Sequence, residues 1–328
     1  MPMHLVYISP GHMDPTYEIE RAGLGPDVEL RVMSNADRGD MDGAEVREAD
    51  AIITWRTRIN EAAVDQLERC RVIVRMGVGY DIVDVDAAKR RGIPVCNVPD
   101  YCTNEVADHT MALLLALSRR LIAYNEAAHS GNEAWESPGV GPLYRLTGRT
   151  LGIVGLGRIG TAVALRAKAF GMRVVFCDPY VADGALGLTR LPLDELLAAS
   201  DAVTLHTPLT DATRNMASGD FFAKIKHGAF VVNTSRGGVM DMAALEAALR
   251  DGRIAAAGLD VMPTEPPDPE LPLIKAWRAG EAWVRDHLVL TPHAAFYSEE
   301  SEREMRVKAT ATARAVLDGG PPQTRVNP

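Results

Sequence analysis

The chain has 328 residues, enough for two domains that each bury a core of their own. Apolar residues make up 47% and charged residues 24%, a balance that excludes intrinsic disorder. With 44 acidic side chains against 35 basic ones the net charge is -9, which argues against a nucleic-acid surface but leaves room for a small anion held by local arginines.

The N-terminal residues carry no basic stretch followed by an apolar run of signal-peptide length. The strongest apolar run, Met111 to Leu117, is too short to span a bilayer, so a soluble protein with no membrane partner is expected. Cys70, Cys96, Cys102 and Cys177 have neither disulfide-framework nor metal spacing. They read as small buried apolar groups in a reduced, cytoplasmic protein. No His, Cys or carboxylate cluster has the spacing of a metal site, and none is expected.

Taken in chain order, short Val- and Ile-rich runs alternate with helical stretches, the pattern of a parallel sheet. The first series predicts strands at His4 to Ser9, Val28 to Met33, Ala51 to Trp55, Val72 to Gly77 and Pro94 to Val98. A helix is then predicted from about Asn104 to about Tyr124, with an apolar surface wide enough to be buried on more than one side. A Gly- and Pro-containing loop from Ser130 to Thr147 follows, with Trp135 and Tyr144 as its expected anchors. The second series predicts strands at Leu151 to Gly155, Arg173 to Cys177, Ala202 to His206, Phe230 to Thr234, Ala256 to Val261 and Leu288 to Thr291. A last helix from Ser298 to Leu317 stops at Asp318-Gly319-Gly320-Pro321-Pro322. The fold class is therefore α/β, with two doubly wound parallel sheets.

Gly155, Gly157 and Gly160 form the spacing G-x-G-x-x-G between an apolar strand and a helical run. In that context the glycines serve the tight turn, the approach of a pyrophosphate and close helix packing, and the helix N-terminus faces the phosphates. The next strand ends at Asp178, where a carboxylate accepts from the ribose hydroxyls of a dinucleotide and repels a 2'-phosphate. The cofactor expected is NAD.

Three segments place polar groups after apolar runs, where ligands bind in open parallel sheets: Asn233 to Gly238, Gly258 to Pro266 and Leu290 to Phe296. Asn-Thr-Ser-Arg-Gly-Gly at 233 to 238, Leu-Asp-Val with Glu-Pro soon after, and Thr-Pro-His-Ala-Ala at 291 to 295 resemble the catalytic segments of the D-isomer-specific 2-hydroxyacid dehydrogenases. The similarity extends to Arg75 through Asp81 and to Asn97-Val98-Pro99 with Asn104 through Asp108. Ile73-Val74-Arg75, Val95 to Pro99 and His293 to Glu299 lean toward the branch that includes the C-terminal-binding proteins.

The resemblance implies a flavodoxin-like substrate domain from residues 1-100 plus 298-328 and a Rossmann NAD domain from 101-297. It implies a homodimer formed largely by the NAD domains, which would give the helix around Met111 to Leu117 a partner. The activity implied is hydride transfer between NAD(H) and a small 2-oxo or D-2-hydroxy acid. Arg236 would polarise the carbonyl, His293 would be the acid or base, and Glu265 would orient its imidazole. Val78 and Gly79 would offer backbone N-H groups to the substrate carboxylate. For the cofactor the resemblance adds Arg158 and Ile159 in the phosphate loop, Thr207 and Pro208 beside the adenine, and Thr234 and Asp260 near the nicotinamide. Arg56, or alternatively Arg58, would reach the distal end of the substrate, with Phe296 as an apolar wall. His109, His206, His227 and His287 read as structural or surface residues. Two other activities fall within the resemblance: a dinucleotide-sensing corepressor, and a formate or phosphite dehydrogenase.

Overall fold

A computed structural model describes residues 4–11, 15–35, 38–131, 135 and 143–328. The chain divides into two compact units, Met1–Tyr101 with Ser298–Pro328, and Cys102–Tyr297. The first unit contains β1 (His4–Ile8), α1 (Glu18–Leu24), β2 (Val28–Val32), β3 (Ala51–Thr54), α2 (Glu61–Asp65), β4 (Val72–Arg75), α3 (Val85–Arg90) and β5 (Val95–Cys96). The second contains α4 (Thr103–Ser118), α5 (Leu121–Ser130), β6 (Thr150–Val154), α6 (Arg158–Ala169), β7 (Arg173–Cys177), β8 (Thr189–Arg190), α7 (Leu193–Ala199) and β9 (Ala202–Leu205). It continues with α8 (Gly219–Lys224), β10 (Ala229–Asn233), α9 (Met242–Arg250), β11 (Ile254–Leu259), α10 (Pro272–Arg278), α11 (Ala282–Arg285) and β12 (Leu288–Leu290). The chain then returns to the first unit as α12 (Glu299–Leu317).

The first sheet has the order β2-β1-β3-β4-β5 and is parallel, the flavodoxin-like winding. Ala51, Ile52, Ile53 and Thr54 are all buried, because helices cover both faces of such a sheet. α12 begins in a capping box between Ser298 and Ser301 and buries Met305, Ala309, Ala313 and Leu317, spaced four apart, against α1, β3 and β4. At Gly23 of α1 a Cβ would lie 2.7 Å from Thr310 Cγ2, so glycine lets the two helices close.

The second sheet has the order β12-β11-β10-β9-β6-β7-β8, again parallel, with its direction of winding reversed between β6 and β9. Gly258 in β11 admits α4, since a Cβ there would stand 3.0 Å from Leu113 Cβ. Met111, Leu113, Leu114 and Leu117 of α4 are buried in one core with α6 and the strands beneath. That burial accounts for the wide apolar surface within this unit.

Several expectations need correction. The single helix expected to Tyr124 is two, because Arg120 takes a left-handed conformation (φ 46°, ψ 43°) between α4 and α5. No Gly or Pro marks that break. Helix α5 runs on to Ser130, and much of the loop expected from there to Thr147 lies outside the described residues. Trp135 and Tyr144, expected as anchors, are exposed, Tyr144 with the Arg149 guanidinium 5.1 Å above its ring. Cys96 and Cys102 are buried but Cys70 and Cys177 only half-buried. The two-residue β8 carried no apolar run and was not expected. Among the described residues no helix is long and apolar enough to cross a membrane.

Candidate active site

The carboxyl edge of the second sheet carries two groups of candidate residues. Val154 of β6 is level with Cys177 of β7 and Leu205 of β9, so Gly155, Asp178 and His206 emerge side by side. Gly155 has φ +93° and its absent Cβ would press on the His206 carbonyl at 2.8 Å. A Cβ on Gly160 would stand 2.2 Å from the Gly155 oxygen, so that glycine lets α6 start directly beneath the turn. At Gly157 the same construction meets nothing within 4 Å. The fold does not require glycine there, and the open space at the uncapped N-terminus of α6 fits an approaching phosphate. Arg158 is exposed and Ile159 half-buried at this start.

Asp178 Oδ2 accepts from the Leu156 N-H at 2.8 Å and Oδ1 from the Tyr180 N-H at 2.8 Å. The carboxylate is thus fastened to the glycine loop and keeps lone pairs for ribose hydroxyls. Thr207 is half-buried, its hydroxyl toward Met216 Sδ at 3.7 Å, and Pro208 is exposed. His206 Nε2 lies 2.9 Å from Thr204 Oγ1, and burial pushes this imidazole down to about 3. These residues fit a dinucleotide.

The other group follows β10, β11 and β12, whose ends Asn233, Leu259 and Leu290 are paired in register. After β10, buried Asn233 accepts from the Ser235 N-H at 3.0 Å and hydroxyl at 2.8 Å and donates to the Arg236 carbonyl at 2.9 Å. That turn holds Arg236 half-buried, with Nη1 donating to Ser235 O at 2.8 Å. Thr234 Oγ1 lies 2.8 Å from Thr110 Oγ1 of α4. A Cβ on Gly237 would fall 1.9 Å from the Met262 carbonyl carbon. Glycine is what lets the Arg236 turn lie against the loop that carries Glu265.

Glu265 Oε1 accepts from the Met262 N-H at 3.1 Å, and Oε2 stands 2.8 Å from His293 Nδ1. Both side chains are mostly buried, with 17% and 31% exposed. His293 itself has φ +56°, uncommon for a non-glycine residue. Its N-H donates to Asp260 O at 2.8 Å and Thr291 O at 3.0 Å. Phe296 meets the His293 ring edge-to-face at 6.3 Å between centroids.

Asp260, the residue expected near the nicotinamide, is 2% exposed. Its Oδ1 accepts from Thr291 Oγ1 at 2.6 Å and the Ala294 N-H at 2.8 Å, and its Oδ2 from the Ala295 N-H at 3.0 Å. The carboxylate organises the turn that presents His293. His109, expected to be a structural or surface residue, has its Nε2 2.9 Å from Thr291 Oγ1 and 3.6 Å from Asp260 Oδ1. Asn233 and Thr291 also shape the site, and both lie inside the segments 233–238 and 290–296 without a spacing that marks their roles.

In the first unit the loop after β4 is fixed by its carbonyls. Arg75 Nη1 donates to Met76 O at 2.8 Å, the Val98 N-H to Gly77 O at 3.0 Å and Asn97 Nδ2 to Val78 O at 2.7 Å. Val78 and Gly79 are half-buried. The C-terminal tail supports this clamp, with Thr324 Oγ1 donating to Asn97 O at 2.6 Å. After β3, the Arg56 guanidinium stacks on the Trp55 ring at 4.0 Å, whereas Arg58 is exposed and 3.7 Å from Asp40.

Residues 111–295 match the family profile described as D-isomer specific 2-hydroxyacid dehydrogenase, NAD binding domain. A glyoxylate reductase of Korarchaeum cryptofilum is 40% identical over 288 residues, covering 86% of this chain and 84% of its own. The NADPH-dependent glyoxylate/hydroxypyruvate reductase of Sinorhizobium meliloti, solved with NADP and malonate, superposes with TM-score 0.84 at 32% identity, covering 98% of this chain and 97% of its own. The D-lactate dehydrogenase of Aquifex aeolicus, solved with NAD and lactic acid, gives 0.78 at 28% identity and 96% of each chain. The chain belongs to the D-isomer specific 2-hydroxyacid dehydrogenase family, oxidoreductases that transfer a hydride between a nicotinamide cofactor and a 2-oxo or 2-hydroxy acid.

Proposed function

We propose that this protein reduces a small 2-oxo acid of the glyoxylate class to the 2-hydroxy acid, with D stereochemistry where the product is chiral, using NADH. The observation that carries the reading is the 2.8 Å contact between Glu265 Oε2 and His293 Nδ1. With Nδ1-H directed at the carboxylate, Nε2 is the atom left to exchange a proton with substrate.

When bound, the nicotinamide supplies the hydride in reduction and accepts it in oxidation. Arg236 polarises the 2-oxo carbonyl and forks onto the carboxylate. His293 Nε2 gives its proton to the oxygen as the carbonyl becomes a hydroxyl, and takes it back in the reverse direction. Glu265 stabilises the imidazolium that serves as the acid. Val78 and Gly79 offer backbone N-H groups to the substrate carboxylate, so the first unit is the substrate domain and the second the NAD domain. Phe296 limits substrate size beside His293. Gly155, Gly157, Arg158, Ile159 and Gly160 hold the pyrophosphate, Asp178 the ribose, and Thr207 and Pro208 the adenine. Thr234 lies near the nicotinamide, and Asp260 acts there through the His293 turn.

NAD is favoured over NADP because the Asp178 carboxylate opposes a 2'-phosphate. Arg56 rather than Arg58 is assigned to the distal end of the substrate, supported by its half-buried position on Trp55. A cytoplasmic homodimer remains part of the proposal; α5, which buries none of its residues and exposes Leu121 and Ile122, supports a contact between copies. The lean toward the C-terminal-binding protein branch gains no support from relatives named glyoxylate reductase. The test is a panel of glyoxylate, hydroxypyruvate and pyruvate with NADH, in the native protein and in Arg56→Ala. A selective loss on hydroxypyruvate is expected; equal losses on all three would remove Arg56 as the specificity residue.

A further inference from the structure

We propose that His109 is a positioning residue for the turn that presents His293, acting through Thr291 and Asp260. The proposal rests on reading His293 as the proton donor. The three side chains form a directed chain. Asp260 collects the Ala294 and Ala295 N-H groups at 2.8 and 3.0 Å, so its oxygens serve as acceptors. The Thr291 hydroxyl donates to Oδ1 at 2.6 Å. Thr291 Oγ1 is then an acceptor toward His109 Nε2 at 2.9 Å, so that nitrogen carries the proton.

This arrangement matters because of where it ends. His293 at φ +56° occupies a backbone region that a residue with a Cβ holds only when its surroundings over-determine it. The two carbonyl acceptors of its N-H belong to Asp260 and Thr291, the same residues whose side chains join the chain to His109. His109 stands on α4, one of the most firmly buried helices of this unit, with Ala107, Met111 and Leu114 in the core on either side of it in sequence. The helix thus anchors the turn through the imidazole N-H of His109. Without that donor the Thr291 hydroxyl is released to rotate, and Asp260 Oδ1 keeps the Ala294 N-H but loses a fixed Thr291 donor.

Four variants test this: His109→Leu, His109→Gln, Thr291→Val and the His109→Leu/Thr291→Val double. Two readouts are taken, amide exchange of residues 291–297 in the protein alone and kcat with NADH and glyoxylate. Gln can place an N-H near the position of Nε2. Exchange at Ala294 and Ala295 is expected to quicken about tenfold in His109→Leu and to stay native in His109→Gln, and kcat should fall about tenfold in the first and within about threefold in the second. The double variant should be no worse than Thr291→Val alone, the mark of two residues acting through one link. Native exchange in His109→Leu, or losses that multiply in the double variant, would overturn the proposal. Altered exchange in a protein that turns over no 2-oxo acid would instead uphold the positioning role and contradict the proposed function.

Discussion

Glu265 bridges two parts of its own loop's surroundings: one oxygen accepts from the Met262 N-H at 3.1 Å while the other faces His293 Nδ1 at 2.8 Å. Because the first contact fixes the carboxylate, the second fixes the imidazole ring. The carboxylate and the imidazole are therefore expected to act as a pair. Glu265→Gln should lower kcat for reduction about tenfold or more while NADH affinity stays within about threefold of native. Undiminished kcat in that variant takes Glu265 out of proton transfer.

The phosphate-loop glycines should separate by what each absent Cβ would meet. Gly157→Ala opens onto free space with φ -76°, so its thermal midpoint should stay within about 2 °C of native while NADH affinity falls about tenfold or more. Gly160→Ala collides with the Gly155 carbonyl and should cost about 1–3 kcal/mol or more in stability. Calorimetry paired with NADH fluorescence titration reads both. Equal destabilisation by the two substitutions would contradict the assignment of Gly157 to the cofactor.

Asp178 should set cofactor preference through charge. Its oxygens are held in place by the Leu156 and Tyr180 N-H groups, so a 2'-phosphate meets a carboxylate that cannot swing away. The native kcat/KM should favour NADH over NADPH by about 100-fold, and Asp178→Ala should narrow that ratio. Equal use of the two cofactors by the native protein contradicts this.

Much of the fold is legible because a parallel sheet covered on both faces needs continuous apolar strands, as in Ala51 to Thr54 and Thr150 to Val154. The glycine loop is legible because part of what demands it is local: Gly155 turns at φ +93° and Gly160 must clear the Gly155 oxygen, whereas the close approach of Gly155 to the His206 carbonyl comes from a distant strand end. What sequence does not carry is the left-handed turn at Arg120, which no Gly or Pro announces, or the two-residue β8. His109 is hidden for a different reason. Its partners Thr291 and Asp260 are more than a hundred residues away, so its neighbours in sequence, Asp108 and Thr110, say only that it lies on a helix. Resemblance points Asp260 toward the nicotinamide, but its three donors in the His293 turn, Thr291, Ala294 and Ala295, lie more than thirty residues on and no local spacing announces them.

His206 gives a pH signature of its own. Burial holds its pKa at about 3, below the ordinary value of 6.5, so the folded state keeps the ring neutral while the unfolded chain takes up a proton. Stability from this source is complete above pH 6.5 and is lost as pH falls toward 3. His206→Gln, which keeps a polar group near Thr204, should remove about 1–2 kcal/mol of the loss between pH 7 and 5 in denaturant titrations. The same slope in native and variant protein would contradict it.

Under the proposed function His293 delivers the proton to a 2-oxo acid as the hydride arrives. The decisive measurement is kcat for NADH oxidation with glyoxylate in the native protein and in His293→Ala, with NADH binding followed in parallel. Turnover by the native protein, a fall of about 100-fold or more in the variant, and NADH affinity within about threefold of native are expected. Turnover undiminished in His293→Ala, or a native protein that binds NADH and reduces no 2-oxo acid, would contradict that reading.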